Sequence, residues 1–270
     1  MIKPGSTISK LADLPFYTEG PVYSREGNIF ITSPAGEGIY QVNIDGSFSR
    51  WSTSDWPNGQ AMLANGDHLI CDSKLGVIRR FDQHGVWIAD ETKNFYNGQE
   101  ISSPNDLAVL PDGGIYFTDS VRYRGSVWFR DPSGKQEIIA DGLDYPNGIV
   151  CCAESNCLFV AESYRNRILK ITLESKGKNN VQVFADLPAH PSGNEIDNLP
   201  DGMDIDSNRN LWVAHYGMGA IQVLSPEGRL LHTIDTHLPL TSNIFLTAEK
   251  AIITGGYAEP GPGAVMIIYR

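Results

Sequence analysis

Leu199-Pro-Asp-Gly-Met-Asp-Ile-Asp-Ser-Asn-Arg-Asn-Leu-Trp-Val-Ala-His215 reads as one compact unit. A polar residue, Asp201, opens a short apolar strand; the cluster Asp206-Ser-Asn-Arg-Asn210 turns the chain; a second apolar strand ends on the polar His215. The same plan opens at Glu19, Asn58, Asn105, Asn147 and Asn243, and the six openers are separated by 39, 47, 42, 54 and 42 residues. A four-stranded unit recurring at such a period is the sequence signature of a propeller blade. Six copies predict an all-β chain folded as a six-bladed β-propeller.

Turn clusters sit between the apolar halves of the other copies, at Arg25-Glu-Gly-Asn28, Asn65-Gly-Asp67, Pro111-Asp-Gly-Gly114 and Glu154-Ser-Asn156. Such residues supply the positive φ angles of tight hairpins. Thr7 to Asp13 reads as a strand before the first copy, and Ala264 to Arg270 as one after the last. A ring leaves no open sheet edge if these two pair in one composite blade. Helical periodicity is nearly absent, and no linker interrupts the chain, so residues 1–270 are expected to form a single propeller domain. The loop His190-Pro-Ser-Gly-Asn-Glu-Ile-Asp-Asn198 is long enough to overhang a pocket, although a plain surface excursion is the first expectation.

With 21 basic and 32 acidic residues the net charge is −11, which opposes binding to a phosphate backbone or an anionic membrane. Neither an apolar signal core nor a membrane-spanning run is visible. A cytoplasmic protein without nucleic-acid or membrane partners is the expectation. Cys71, Cys151, Cys152 and Cys157 have no zinc-type spacing. They read as reduced thiols filling space, with a Cys152–Cys157 bridge left open.

The innermost strand of each blade lines the central channel, so the openers should converge at one face. Two carboxylates among amide oxygens repel each other when buried, and a divalent cation relieves that; hard oxygen donors suit Ca²⁺, Mg²⁺ or Mn²⁺. Asn and Asp are also ordinary turn residues, so a water-lined polar channel fits the pattern as well.

At Glu19-Gly-Pro21, Ser103-Pro-Asn-Asp106, Tyr145-Pro-Asn-Gly148 and Pro200-Asp-Gly-Met203, taken in series over nearly the full length, the chain resembles the senescence-marker-protein/gluconolactonase family, which includes regucalcin-like proteins and sugar lactonases. The resemblance implies a six-bladed propeller with one axial divalent metal ion, calcium first, with zinc, manganese or magnesium as alternatives. It implies metal ligation by Glu19, Asn147 and Asp201, Asn105 beside metal and substrate, and Asp201 as the catalytic residue. Two departures concern the substrate shell: Ser103 stands where animal-type sugar lactonases have arginine, and Ser120-Val-Arg-Tyr-Arg124 replaces a Pro-rich segment. Tyr123, with Arg122, is therefore expected to help bind substrate in compensation.

Lactone hydrolysis needs a polarised carbonyl, a water and a base. Asp201 is the expected base. His215 is the alternative base and a substrate-binding candidate, against the plainer role of hydrogen-bonding a neighbour. No Gly-x-Ser-x-Gly elbow supports a serine nucleophile. The expected partner is a small lactone; a phosphotriesterase or lyase on the same ring, and a non-enzymatic scaffold, are the rival readings.

Overall fold

The computed structural model describes residues 8–152, 155–174 and 179–269. Six four-stranded antiparallel sheets stand in a ring, a six-bladed β-propeller. Their innermost strands are Glu19–Tyr23, Pro57–Met62, Pro104–Val109, Pro146–Cys152, Leu199–Ile205 and Leu240–Leu246, in blades one to six. Among the described residues no helix is long and apolar enough to cross a membrane.

The sixth blade is composite. Ile8–Leu14 forms its outermost strand and pairs antiparallel with Gly263–Tyr269, Ile8 opposite Ile268 and Leu14 opposite Gly263. The N-terminal strand thus completes the ring as expected, although Thr7 and Arg270 lie outside the described residues. A side-chain bond closes the same seam: Ser242 Oγ of blade six donates to Thr18 O of blade one at 2.8 Å. The hairpin turns form where the clusters predicted them. Gly27, Gly66 and Gly113 take positive φ, and Arg209 does so at 63°; the turn cluster holding Glu154 falls partly outside the described residues. At the Asp206 turn the carboxylate accepts the amides of Asn208 and Asn210, both at 2.9 Å, which stabilises the reversal locally.

Each blade packs on two neighbours, so its strands read as nearly continuous apolar runs rather than strict alternations. Leu211, Trp212, Val213 and Ala214 are all buried, for example. Trp212, Ile221, Ile244 and Ile253 fill the space between blades five and six, while Leu14, Ile31, Ile252 and Val265 fill that between six and one. Truncating any of these large side chains to alanine removes about 2–5 kcal/mol. The uneven repeat spacing also has a structural cause. A small hairpin, Phe95–Tyr96 with Gln99–Glu100, lengthens the approach to blade three, and a 3₁₀ turn at Glu195–Asp197 lies in the long approach to blade five.

The four cysteines are free thiols, Cys71 and Cys157 buried. Cys152 and Cys157 face each other across one hairpin without a bridge.

Candidate metal and substrate site

Each innermost strand slips register at its opener. The slips fall between Glu19 and Val22, Pro57 and Gln60, Pro104 and Leu107, Pro146 and Ile149, Pro200 and Met203, and Thr241 and Asn243. An extra residue in one strand bends it and re-aims a side chain, here toward the axis. Glycine follows the opener in four blades, because the innermost strands crowd one another. A Cβ on Gly20 would sit 2.6 Å from Asn58 O, and one on Gly202 would overlap the Asn243 side chain.

Glu19, Asn58, Asn105, Asn147 and Asp201 share the lining of one axial cavity of about 700 Å³. Asn243 does not line it, which corrects the ring of six. In blades two to five a proline opposes Asp72, Asp119, Glu162 or His215 near the end of the second strand, and the opener comes next. In blade six Thr241 opposes Gly255, so the equivalent opener is Ser242, and Asn243 lies one residue deeper, opposite Thr254. Asn243 lines instead a cavity of about 910 Å³ at the end toward which the innermost strands run, together with Gln60 and Asp106.

Glu19 and Asp201 are both buried. Among the described residues neither has a cationic partner; Glu19 is met by Tyr17 OH at 3.4 Å and its own strand's Gly20 amide at 3.2 Å. Burial foremost, with Asp106 and Glu259 nearby, pushes Glu19 up to about 8. Burial and then the charge of Glu19 raise Asp201 well above the usual carboxylate range. Asp106 stands where four blades have glycine, accepts the amides of Leu107 and Ile149, and is pushed up to about 7 by burial. The Oδ1 atom of Asn147 is buried with no hydrogen-bond partner. Two uncompensated carboxylates and an orphaned amide oxygen fit a hard divalent ion, which supplies the missing charge and takes the free lone pairs. Among the described residues no group of three or more His, Cys, Asp or Glu side chains comes together. The candidate donor set needs none, since half of it is amide oxygen.

Two expected substrate residues are elsewhere. Tyr123 is 70% exposed and outside the cavity lining. The reason is the anchoring of its neighbour: Arg122 donates to Asp144 at 2.7 Å and to Tyr123 OH at 2.9 Å, with its guanidinium 3.5 Å over the ring of Tyr164. His215 is fully buried and also absent from the lining. Its Nδ1 is 3.3 Å from Gln222 Nε2, its Nε2 has no partner, and burial holds it down to about 4. The equivalent residues of other blades cap loops: Asp72 accepts the Asp55 amide, Asp119 those of Ser102 and Ser103, and Glu162 that of Asp144.

The wall of the cavity was not anticipated, although a signal for it exists. Strand side chains alternate, so the residue two before each opener shares its face. Tyr17, Trp56, Tyr145, Leu199 and Leu240 occupy that position when Ser242 is taken as the sixth opener, and all line the cavity. Ser103 holds it in blade three and does not line the cavity. The long loop before blade five does overhang it, contributing Ile196 and Asp197.

Residues 17–254 match the family model described as SMP-30/Gluconolactonase/LRE-like region. The chain is 29% identical over 231 residues to lactonase drp35 of Staphylococcus haemolyticus, covering 81% of this chain and 69% of that protein. It is 30% identical over 235 residues to lactonase drp35 of Staphylococcus epidermidis, with the same coverage. Its fold superposes on that of a gluconolactonase from Xanthomonas campestris with a TM-score of 0.83 at 24% identity, over 100% of this chain and 94% of the other. A match to the family model along most of its length, with a curated relative at 30% identity, places this chain in the SMP-30/gluconolactonase/LRE-like family.

Proposed function

We propose that the protein is a divalent-metal-dependent hydrolase of small lactones. The observation that carries the proposal is the buried, uncompensated Glu19–Asp201 pair beside the unpartnered Oδ1 of Asn147. The relatives named as lactonases support the choice of substrate class. Glu19, Asn105, Asn147 and Asp201 would hold the ion, and calcium suits their hard oxygens and mixed charge best. When bound, the ion would polarise the lactone carbonyl and offset the repulsion between the two carboxylates.

Asp201 has the second role. Its carboxylate takes the proton of a water that attacks the carbonyl carbon; the ring C–O bond then breaks, and the departing alkoxide takes a proton back. Asn105 orients the lactone from the same floor. The aromatic wall and the overhanging loop with Ile196 limit the water that reaches the carbonyl. His215 and Tyr123, absent from the cavity lining, take no part in these steps.

The test is a panel of γ- and δ-lactones beside a phosphotriester, run on chelated protein and after adding back Ca²⁺, Mg²⁺, Mn²⁺ or Zn²⁺. Lactone hydrolysis that stops on chelation and returns with Ca²⁺ is expected. Hydrolysis indifferent to chelator, or turnover of the phosphotriester alone, would overturn the proposal.

A further inference from the structure

We propose that the wall of the axial cavity is a cation subsite, so that the favoured substrate is a lactone bearing an ammonium or quaternary ammonium substituent. The lactone half of this statement rests on the proposed function; the cation half rests on the wall alone.

Tyr17, Trp56, Tyr145 and Tyr216 line the cavity above the Glu19–Asp201 floor. Tyr17 and Tyr216 stand edge to face, centroids 6.3 Å apart at 69°; Tyr145 meets Tyr164 at 5.5 Å and 74°, and Tyr164 already carries the Arg122 guanidinium 3.5 Å over its ring, which leaves Tyr145 as the open member of that pair. Rings set nearly perpendicular form corners of π-surface, and the negative face of a Tyr or Trp ring attracts a cation within about 6 Å. Tyr145 is held at φ 61°, a conformation that costs a bulky residue about 1–3 kcal/mol and that clusters at ligand-binding sites.

Charge points the same way. Glu259 also lines the cavity, with the hydroxyl of Tyr216 donating to its Oε1 at 3.1 Å. Its charge is felt at Tyr17, Tyr145 and Asp201 as well as at Tyr216. Among the described residues lining the cavity there is no Lys, Arg or His, and Arg122, stacked on the lining Tyr164, is paired with Asp144 and Glu195. One divalent ion would balance Glu19 and Asp201; Glu259, a solvent-exposed member of the lining, then has no counter-charge among the residues that line the cavity. An anionic substituent is repelled there, while a cation meets a carboxylate and several π-faces.

Three α-substituted γ-butyrolactones of one skeleton, carrying trimethylammonium, hydroxyl or carboxylate, are compared with the metal-loaded protein at low and high salt. With each kcat/KM divided by the lactone's own rate of hydroxide hydrolysis, so that the inductive effect of the substituent cancels, the expected value is about ten-fold higher for the cation than for the neutral lactone, the size of one good cation–π contact, with the anion lowest and the spread narrowing in salt. In Glu259→Gln and Tyr216→Leu the cation-to-neutral ratio falls toward one. Equal kcat/KM for the three charges, or a preference for the anion, overturns the subsite. If no lactone is turned over at all, tetramethylammonium titrated against tryptophan fluorescence decides separately. Saturable quenching that weakens in Glu259→Gln sustains the subsite while the lactonase reading falls; no saturable change overturns the subsite itself.

Discussion

At the scale of single residues, the proposed reaction gives different work to two carboxylates that look alike in the sequence. Glu19→Gln keeps an oxygen donor but removes a charge, so metal affinity should drop because a hard cation prefers carboxylate to amide oxygen. Asp201→Asn also keeps an oxygen, yet it loses the proton acceptor. Turnover at saturating metal should then fall by about two to four decades, the usual worth of a general base. Calorimetric metal titration beside turnover separates the two, and an Asp201→Asn enzyme near the wild-type rate would reduce Asp201 to a ligand. The wall permits a second contrast. Trp56→Ala should raise KM, whereas Tyr123→Ala should leave it near the wild-type value, since Tyr123 is exposed and outside the cavity lining. The floor was legible from the sequence because polar residues repeat at its positions. The wall was not, because Tyr17, Trp56 and Tyr145 read locally as ordinary apolar residues before a strand, and only strand alternation counted back from the opener exposes them. Tyr123 was misplaced because its position in the segment that replaces the family's Pro-rich stretch says nothing of the Asp144 and Tyr164 contacts that fix Arg122.

The innermost strand is the element that turns repeats into a site. Its bulge aims the opener, and the glycine after it lets neighbouring strands approach. Both depend on register, and register explains the one opener misread from sequence: Asn243 resembles the other asparagines in kind, but in blade six Ser242 holds their position. A one-residue offset changes the face a strand residue presents, and no local pattern in Thr241-Ser-Asn-Ile244 reveals it. Blade number, order and closure survived that error because they rest on six repeats and two terminal strands rather than on one residue. The crowding can be tested at Gly202. Gly202→Ala places a methyl on the Asn243 side chain, which accepts the Ile244 amide at 2.8 Å. Overpacking of this kind costs about 1–3 kcal/mol. A lower midpoint in urea is expected, with recovery in the double variant Gly202→Ala/Asn243→Ala; a double variant no more stable than the single one would place the strain elsewhere.

For the whole molecule, the buried floor ties stability to pH and to metal. A carboxyl raised in the fold stays protonated after the unfolded chain has ionised, so its contribution is full below the unfolded pKa and is lost as pH climbs to the folded one. For Glu19 that window runs from 4.5 to about 8, and Asp201 is shifted in the same direction; for Asp106, which lines the other cavity, it runs from 3.8 to about 7. Buried His68 and His215 work oppositely, because burial depresses both from 6.5 to about 4. The unfolded chain binds their protons first as pH falls, so they add stability as pH rises through that range. Below 6.5 the two effects oppose each other, and between 6.5 and 8 the floor carboxylates act without them. The metal-free protein should therefore lose stability across that upper window, by about 1.4 kcal/mol per pH unit for each proton that the fold retains and the unfolded chain has lost. Saturating Ca²⁺ should flatten the loss, since an ion held by Glu19 and Asp201 keeps them ionised in the fold. Chemical denaturation at pH 6.5 and 8, with chelator and with Ca²⁺, measures both slopes. A fall that persists unchanged in Ca²⁺ would mean that these two carboxylates do not hold the ion.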